Sequence, residues 1–390
     1  MPKTHEPVSD ALVHLGRGAA DSGREVNLPL HQGSTMLFNS LAEFEAARAA
    51  RYDSATLYYG RYGNPASFAL EEAIATLEGG AGCIAVSAGL TAVTLAVMGA
   101  AKAGDHLLVA DTVYGPTRGF CDSVMARYGV EVSYFDPLVG ADLAALLRPN
   151  TSTVLFEAPG SGTFEVPDIP AIAKAARDHG ALTILDGTWA TPVFCQPLRL
   201  GVDVVVHSGS KYIGGHADSM IGFIVCNERS YAPLRKMSLA FGDRAGALDV
   251  FLSLRGLRTL ELRMKHAEAA GLALASWLQR QPQVLRLLHP AFADCPGHAV
   301  WRRDFTGAAG LFSVVVKPCA EAKLHAFVDA LTLFNIGVSW GGFESLVLPV
   351  VPLRTAKPWT EAGQVIRFSI GNEATDSLIA DLAQALVHLD

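Results

Sequence analysis

The chain lacks most of what would assign it to nucleic acid, to membranes or to the extracellular space. Its 390 residues carry 31 Lys and Arg against 38 Asp and Glu, a formal net charge of −7, so no electrostatic footprint for a polyanion is present. Charged residues make up only 18% and hydrophobic residues 50%, a balance that excludes disorder. The cysteines at 83, 121, 195, 226, 295 and 319 are far apart, with neither a CxxC pair nor a disulfide-framework spacing. They read as buried or incidental thiols in a reducing compartment, with no zinc site among them. There is no internal repeat, no low-complexity segment and no GxGxxG to support a dinucleotide site. The opening MPKTHEPVSD lacks the apolar region of a secretory signal, which leads us to expect a cytoplasmic protein.

One uncharged stretch, residues 79–101, is long enough to span a bilayer. Five glycines interrupt it, and Ser87-Ala88-Gly89 divides a strand-like first half from an Ala/Leu-rich second half. A buried strand followed by a buried helix explains the pattern without a membrane.

From about residue 80 to 226, short apolar runs alternate with helical patterns. The runs are CIAV, HLLVAD, YFD, TVLFEAP, LTILD, DVVVHS and MIGFIVC, with helices expected near 90–101 and 169–179. This alternation predicts an α/β fold with a mostly parallel sheet covered on both faces. An Ala/Leu/Arg-rich helical pattern from about 248 to 279, then LFSVVV and QVIRFSIG, predicts a smaller C-terminal α/β domain. The expected division is an extended arm over 1–60, a large domain over 61–254 and the smaller domain over 255–390.

In open α/β sheets ligands gather at the carboxyl ends of the strands, so the polar residues there carry the functional information. CIAV is followed by Ser87-Ala88-Gly89, HLLVAD by Thr112-Val113-Tyr114, LTILD ends on Asp186, and DVVV leads into His207-Ser208-Gly209-Ser210-Lys211. Taken singly, Lys211 reads as a surface lysine, Asp186 as a strand-end cap, Tyr114 as a core aromatic and Gly89 as a turn glycine. Together at matching strand ends they point to pyridoxal phosphate. Lys211 would form the Schiff base, and Asp186 would keep the pyridine nitrogen protonated so that the ring accepts electrons. Tyr114 would stack on the ring, while the helix after Gly89 and the hydroxyls of Ser208 and Ser210 would hold the phosphate.

Longer motifs carry a resemblance over nearly the whole chain: LYYGRYGNP (57–65), VSAGLTA (86–92), DTVYGPT (111–117), LDGTWATPVF (185–194), HSGSKYIGGHADSMIG (207–222), HPAFADCPGH (289–298), RRDFTGAAGLF (302–312), SWGGFESL (339–346) and IRFSIGNE (366–373). The chain resembles the Cys/Met-metabolism family of pyridoxal-phosphate enzymes, with the pattern of its bacterial β-lyase branch. The resemblance implies the fold-type I pyridoxal-phosphate transferase architecture and carbon–sulfur β-elimination, L-cystathionine giving homocysteine, pyruvate and ammonia. Other S-substituted cysteines are a further expected substrate class. The alternative on the same scaffold is γ-elimination or γ-replacement on cystathionine or homoserine derivatives.

Carried over by position, the resemblance makes Lys211 the catalytic lysine and the principal acid–base residue, with Tyr114 and Tyr59 beside it. Asp186, Tyr114, Gly89, Leu90, Ser208 and Ser210 become cofactor contacts. Tyr59 and Arg61 resemble a pair that reaches the phosphate from a neighbouring subunit, which implies a homo-oligomer, a tetramer built of dimers that share active sites. Arg367 resembles an arginine that clamps the substrate carboxylate, helped by Ser339 and Trp340. Three positions favour β-elimination: Trp340 where γ-enzymes carry a smaller residue, Val338 where γ-synthases tend to have an acid, and Pro116 where methionine γ-lyases have Cys. Departures are Gly187 in place of Asn, Phe343 in place of Tyr, and Ser161 in place of an Asn that contacts the cofactor's ring hydroxyl.

Overall fold

The structure, a computed structural model, describes residues 8–17 and 25–390. Residues 1–7 and 18–24, part of the expected arm, lie outside the described residues. Seven strands form the larger sheet: β1 (Gly82–Val86), β2 (His106–Ala110), β3 (Glu131–Phe135), β4 (Thr151–Glu157), β5 (Leu182–Asp186), β6 (Val204–Ser208) and β7 (Gly222–Cys226). Their order is β1-β7-β6-β5-β4-β2-β3. Only β7 is antiparallel to its neighbours, so the other six strands deliver their carboxyl ends to one edge. Each of β1, β2 and β7 is buried along its whole length, which is why these runs are continuously apolar rather than alternating.

The uncharged stretch resolves into β1 and a helix over Gly89–Ala100. Among the described residues, no helix is long and apolar enough to cross a membrane. The expected helix over Ile169–His179 is present; the Asp168 side chain accepts from the Ala171 N–H at its start, and Gly180 in the left-handed region ends it. All six cysteines are unpaired and five are buried.

A second sheet joins β8 (Val284–Leu288), β9 (Leu311–Val316), β10 (Asn335–Ile336), β11 (Leu346–Val350) and β12 (Gln364–Ser369) in the order β10-β11-β12-β9-β8. The two strands expected from LFSVVV and QVIRFSIG are β9 and β12, paired antiparallel. The helical pattern of 248–279 is two helices, Ala247–Leu257 and Leu260–Leu278. Between them the N–H groups of Arg258 and Thr259 bond three residues back, a tight turn that redirects the chain.

Two helices lie among the described residues of 1–60. Val8–His14 is a helix whose Leu12 is buried, and Arg258 Nη1 donates to the carbonyl of Leu12 at 2.9 Å. Leu41–Ala49 is a second helix, capped by the Ser40 side chain accepting from the Glu43 N–H. Tyr59 follows as a single antiparallel bridge partner of Thr35.

Candidate active site

The carboxyl edge of the larger sheet and the loop before β11 converge on Lys211. Its Nζ donates to Ser339 Oγ at 2.6 Å and lies 5.3 Å from the centroid of the Trp340 ring. That ring in turn packs against Tyr212 at 5.5 Å. Burial, helped by the Arg367 guanidinium and opposed by Asp186, pushes the Lys211 amine down to about 8. This is the condition for a lysine that must act as a free base near neutral pH.

Asp186 ends β5 and accepts from the N–H of Thr188 at 3.0 Å and from its hydroxyl. Thr188 Oγ1 also accepts from the Ser208 N–H at 2.8 Å, which ties Asp186 to the end of β6. Burial raises the Asp186 carboxyl, while Thr188 and the charges of His207 and Lys211 pull the other way. Beneath it, His207 Nε2 meets Glu78 Oε1 at 2.6 Å, with both side chains out of solvent.

The helix that opens at Gly89 has Ala88 as its N-cap, which offers no side chain to the first free N–H groups. A Cβ on Gly89 would stand 2.4 Å from Ser208 Oγ and 2.8 Å from Ser208 Cα, so only glycine lets the helix start approach β6 this closely. Gly89, Leu90 and Ser208 thus form one concave corner of backbone donors and a hydroxyl, which fits a phosphate group. Ser210 is nearby in the same turn, its hydroxyl accepting from the Ile221 N–H at 3.0 Å.

Arg367, on β12, sends Nη2 to the carbonyls of Gly337, Val338 and Ser339 at 3.3, 3.0 and 3.2 Å. Burial lowers it, with the Tyr114 side chain as the opposing influence. Tyr114 is 43% exposed and its N–H donates to Glu157 Oε2 at 2.8 Å. Lys211, Asp186, Tyr114, Gly89, Ser208, Ser339, Trp340 and Arg367 are therefore one neighbourhood. Tyr59 and Arg61 are not drawn into it within the chain: Arg61 Nη1 donates to Leu239 O at 2.5 Å, and its guanidinium lies 4.6 Å from the Tyr62 ring.

Three participants were missed at the level of sequence. Glu157 ends β4, Thr188 follows Asp186, and Glu78 closes the helix Pro65–Glu78. Glu157 had a signal, since it is the polar residue at the end of TVLFE; Glu78 had none, being 129 residues from His207. The residues present fit pyridoxal phosphate: a depressed lysine, a carboxylate at a neighbouring strand end, and a glycine-built corner for the phosphate.

Comparison with known proteins agrees. The family model described as Cys/Met metabolism PLP-dependent enzyme matches residues 9–387. The cystathionine β-lyase of Bordetella avium is 42% identical over 97% of each chain. That of Salmonella typhimurium is 39% identical over 99% of this chain and 100% of its own. Among solved structures, the cystathionine γ-lyase of Lactobacillus plantarum complexed with L-serine superposes with a TM-score of 0.89 at 29% identity, covering 98% of this chain and 99% of that one. The fold is thus the fold-type I architecture, with a large mixed sheet and a smaller C-terminal one. The chain belongs to the Cys/Met metabolism family of pyridoxal-phosphate-dependent enzymes and is a cystathionine β-lyase-like carbon–sulfur lyase.

Proposed function

We propose that the enzyme carries out β-elimination on S-substituted L-cysteines, with L-cystathionine giving homocysteine, pyruvate and ammonia. The observation that supports this most is Trp340, held against Tyr212 with its ring 5.3 Å from Lys211 Nζ. An indole there narrows the space beyond the reacting carbon and keeps water from the proton-transfer path. Val338, 75% exposed at the same loop, leaves the distal end without an acid to pair a second amino group.

When bound, pyridoxal phosphate supplies an electron sink for the carbanion left by loss of the substrate's α-proton. Lys211 would hold the group through Nζ and, with the substrate in place, would take the proton from Cα and return it to the departing sulfur. Asp186 would pair with the pyridine nitrogen and Tyr114 would stack on the ring. Gly89 and Leu90 would present backbone N–H groups to the phosphate, joined by the hydroxyls of Ser208 and Ser210. The carbonyls of Gly337, Val338 and Ser339 fix the Arg367 guanidinium through Nη2, and its Nη1 would donate to the substrate carboxylate, with Ser339 and Trp340 closing that end.

Tyr59 is 42% exposed and Arg61 is held by the Leu239 carbonyl rather than by any residue around Lys211, so both would complete the phosphate site of a neighbouring subunit. The working unit is then a dimer, two of which form a tetramer. In this reading residues 61–254 hold the cofactor, residues 255–390 bring the carboxylate clamp, and the arm contributes to the neighbouring subunit through the stretch that carries Tyr59.

The test is pyruvate release from L-cystathionine by the loaded enzyme and by Lys211→Ala. Turnover should vanish in the variant while the fold persists. Steady pyruvate production by Lys211→Ala would remove Lys211 from the proton-transfer role.

A further inference from the structure

Ser161 stands where the resemblance expects an amide donor to the cofactor's ring hydroxyl, and its surroundings are unusual. Its Oγ lies 2.8 Å from Glu157 Oε1, the serine donating when Glu157 is ionised, and its N–H donates to the Thr112 carbonyl at 2.8 Å. The other oxygen of Glu157 accepts from the Tyr114 N–H. Across the sheet, Glu157 on β4 is the register partner of Asp186 on β5, so two carboxyls stand side by side at adjoining strand ends. Like charges in such a pair do not both ionise at no cost; one member keeps a proton.

The partners decide which. Asp186 has the Thr188 N–H and hydroxyl as donors, and the side chains of His207 and Lys211 lie close enough to favour its ionised form. Glu157 has only neutral groups within hydrogen-bond reach. The guanidinium of Arg354 is bound to Glu165 at 2.9 and 3.1 Å. Burial first and Asp186 second hold the Glu157 carboxyl well above the usual range, outweighing the hydrogen bonds of Ser161 and Tyr114 and the charge of Arg354.

We propose that Glu157 is a positioning residue that works as a neutral carboxylic acid: its O–H donates to Ser161 Oγ and turns the serine hydroxyl outward as the donor to the cofactor's phenolic oxygen. An ionised Glu157 would draw the Ser161 proton to itself and leave that oxygen facing a lone pair. The same side chain fixes the Tyr114 backbone through Oε2, so ring stacking and the phenolic contact are set by one residue. Asp186 remains the ionised member, as its pairing with a pyridinium requires.

This rests on the cofactor assignment but not on which C–S bond is cut, so the readouts are cofactor affinity and spectrum. Protein freed of pyridoxal phosphate is titrated with it, and the pH dependence of the bound cofactor's visible band is recorded. The proteins compared are wild type, Glu157→Gln, Glu157→Ala, Ser161→Ala and the Glu157→Ala/Ser161→Ala double variant. The glutamine amide donates to Ser161 and accepts from Tyr114 as a neutral acid does, so Glu157→Gln should stay within about threefold of wild type with its band midpoint unmoved. Glu157→Ala and Ser161→Ala should each weaken binding about tenfold, the value of one hydrogen bond to a charged oxygen, and shift the midpoint in the same direction. Their effects should not add in the double variant. Infrared difference spectra should show the C=O stretch of a protonated carboxyl that is lost in Glu157→Gln. A glutamine variant as impaired as the alanine variant, or additive effects, would overturn the proposal. A wild-type protein that takes up no pyridoxal phosphate would instead overturn the cofactor reading beneath it.

Discussion

Lys211 Nζ donates to Ser339 Oγ across 2.6 Å, a single bond that joins the carboxyl edge of the larger sheet to the loop preceding the smaller sheet's β11. Ser339 also gives its carbonyl to Arg367 Nη2, so the amine and the guanidinium are set by neighbouring atoms of one residue. The proton-transfer and carboxylate-binding roles proposed for Lys211 and Arg367 would thus be tied to the same loop, and each can be tested separately.

The Lys211 amine, lowered to about 8 chiefly by burial, is protonated below that pH and free above it. Uptake of pyridoxal phosphate by the cofactor-free protein requires the free amine. Its rate should rise with pH, bend near 8 and level off above. A rate that climbs without a bend through pH 10, as for an ordinary lysine of pKa about 10.4, would show the burial to be without effect.

Loss of the carboxylate clamp should act on binding more than on chemistry. Arg367→Ala removes the charge-assisted contact to the carboxylate and should raise KM roughly 10- to 100-fold with a smaller fall in kcat. An unchanged KM would place Arg367 outside the substrate site.

At Gly89 the constraint is steric. An added Cβ meets the Ser208 backbone, so Gly89→Ala must push the helix start away from the phosphate corner. Cofactor affinity should fall at least about tenfold with little change in thermal unfolding of the cofactor-free protein. Equal affinity for wild type and variant would argue against a phosphate at that corner.

Sharing of sites between subunits is tested by mixing two inactive proteins. Arg61→Ala spoils the site its subunit reaches into, and Lys211→Ala spoils its own. Redistributed in equal amounts as dimers, they should regain about a quarter of wild-type activity, because half the dimers then hold one intact site of two. No recovery on mixing would mean that Arg61 serves its own chain.

Much of this architecture was legible in the sequence because the larger sheet is buried on both faces. Runs such as CIAV and DVVV have no other economical reading, and Asp186 and Lys211 stand where such strands end. The smaller sheet was half legible. Leu346–Val350 alternates partial exposure and contains Pro349, and Asn335–Ile336 is too short for any periodicity. The helix at Val8–His14 was hidden because its stability comes from Arg258 and a buried Leu12, contacts far away in sequence. In the site, residues marked by local motifs were found. Glu78 under His207 depends on pairing across 129 residues, which no spacing announces.

The proposed function has the Trp340 ring, 5.3 Å from Lys211 Nζ, direct cleavage to the β-carbon side of sulfur. The most direct measurement is the identity of the products from L-cystathionine, since the two C–S bonds give different pairs. The account predicts pyruvate with homocysteine; 2-oxobutyrate with cysteine would contradict it and make the enzyme a γ-lyase.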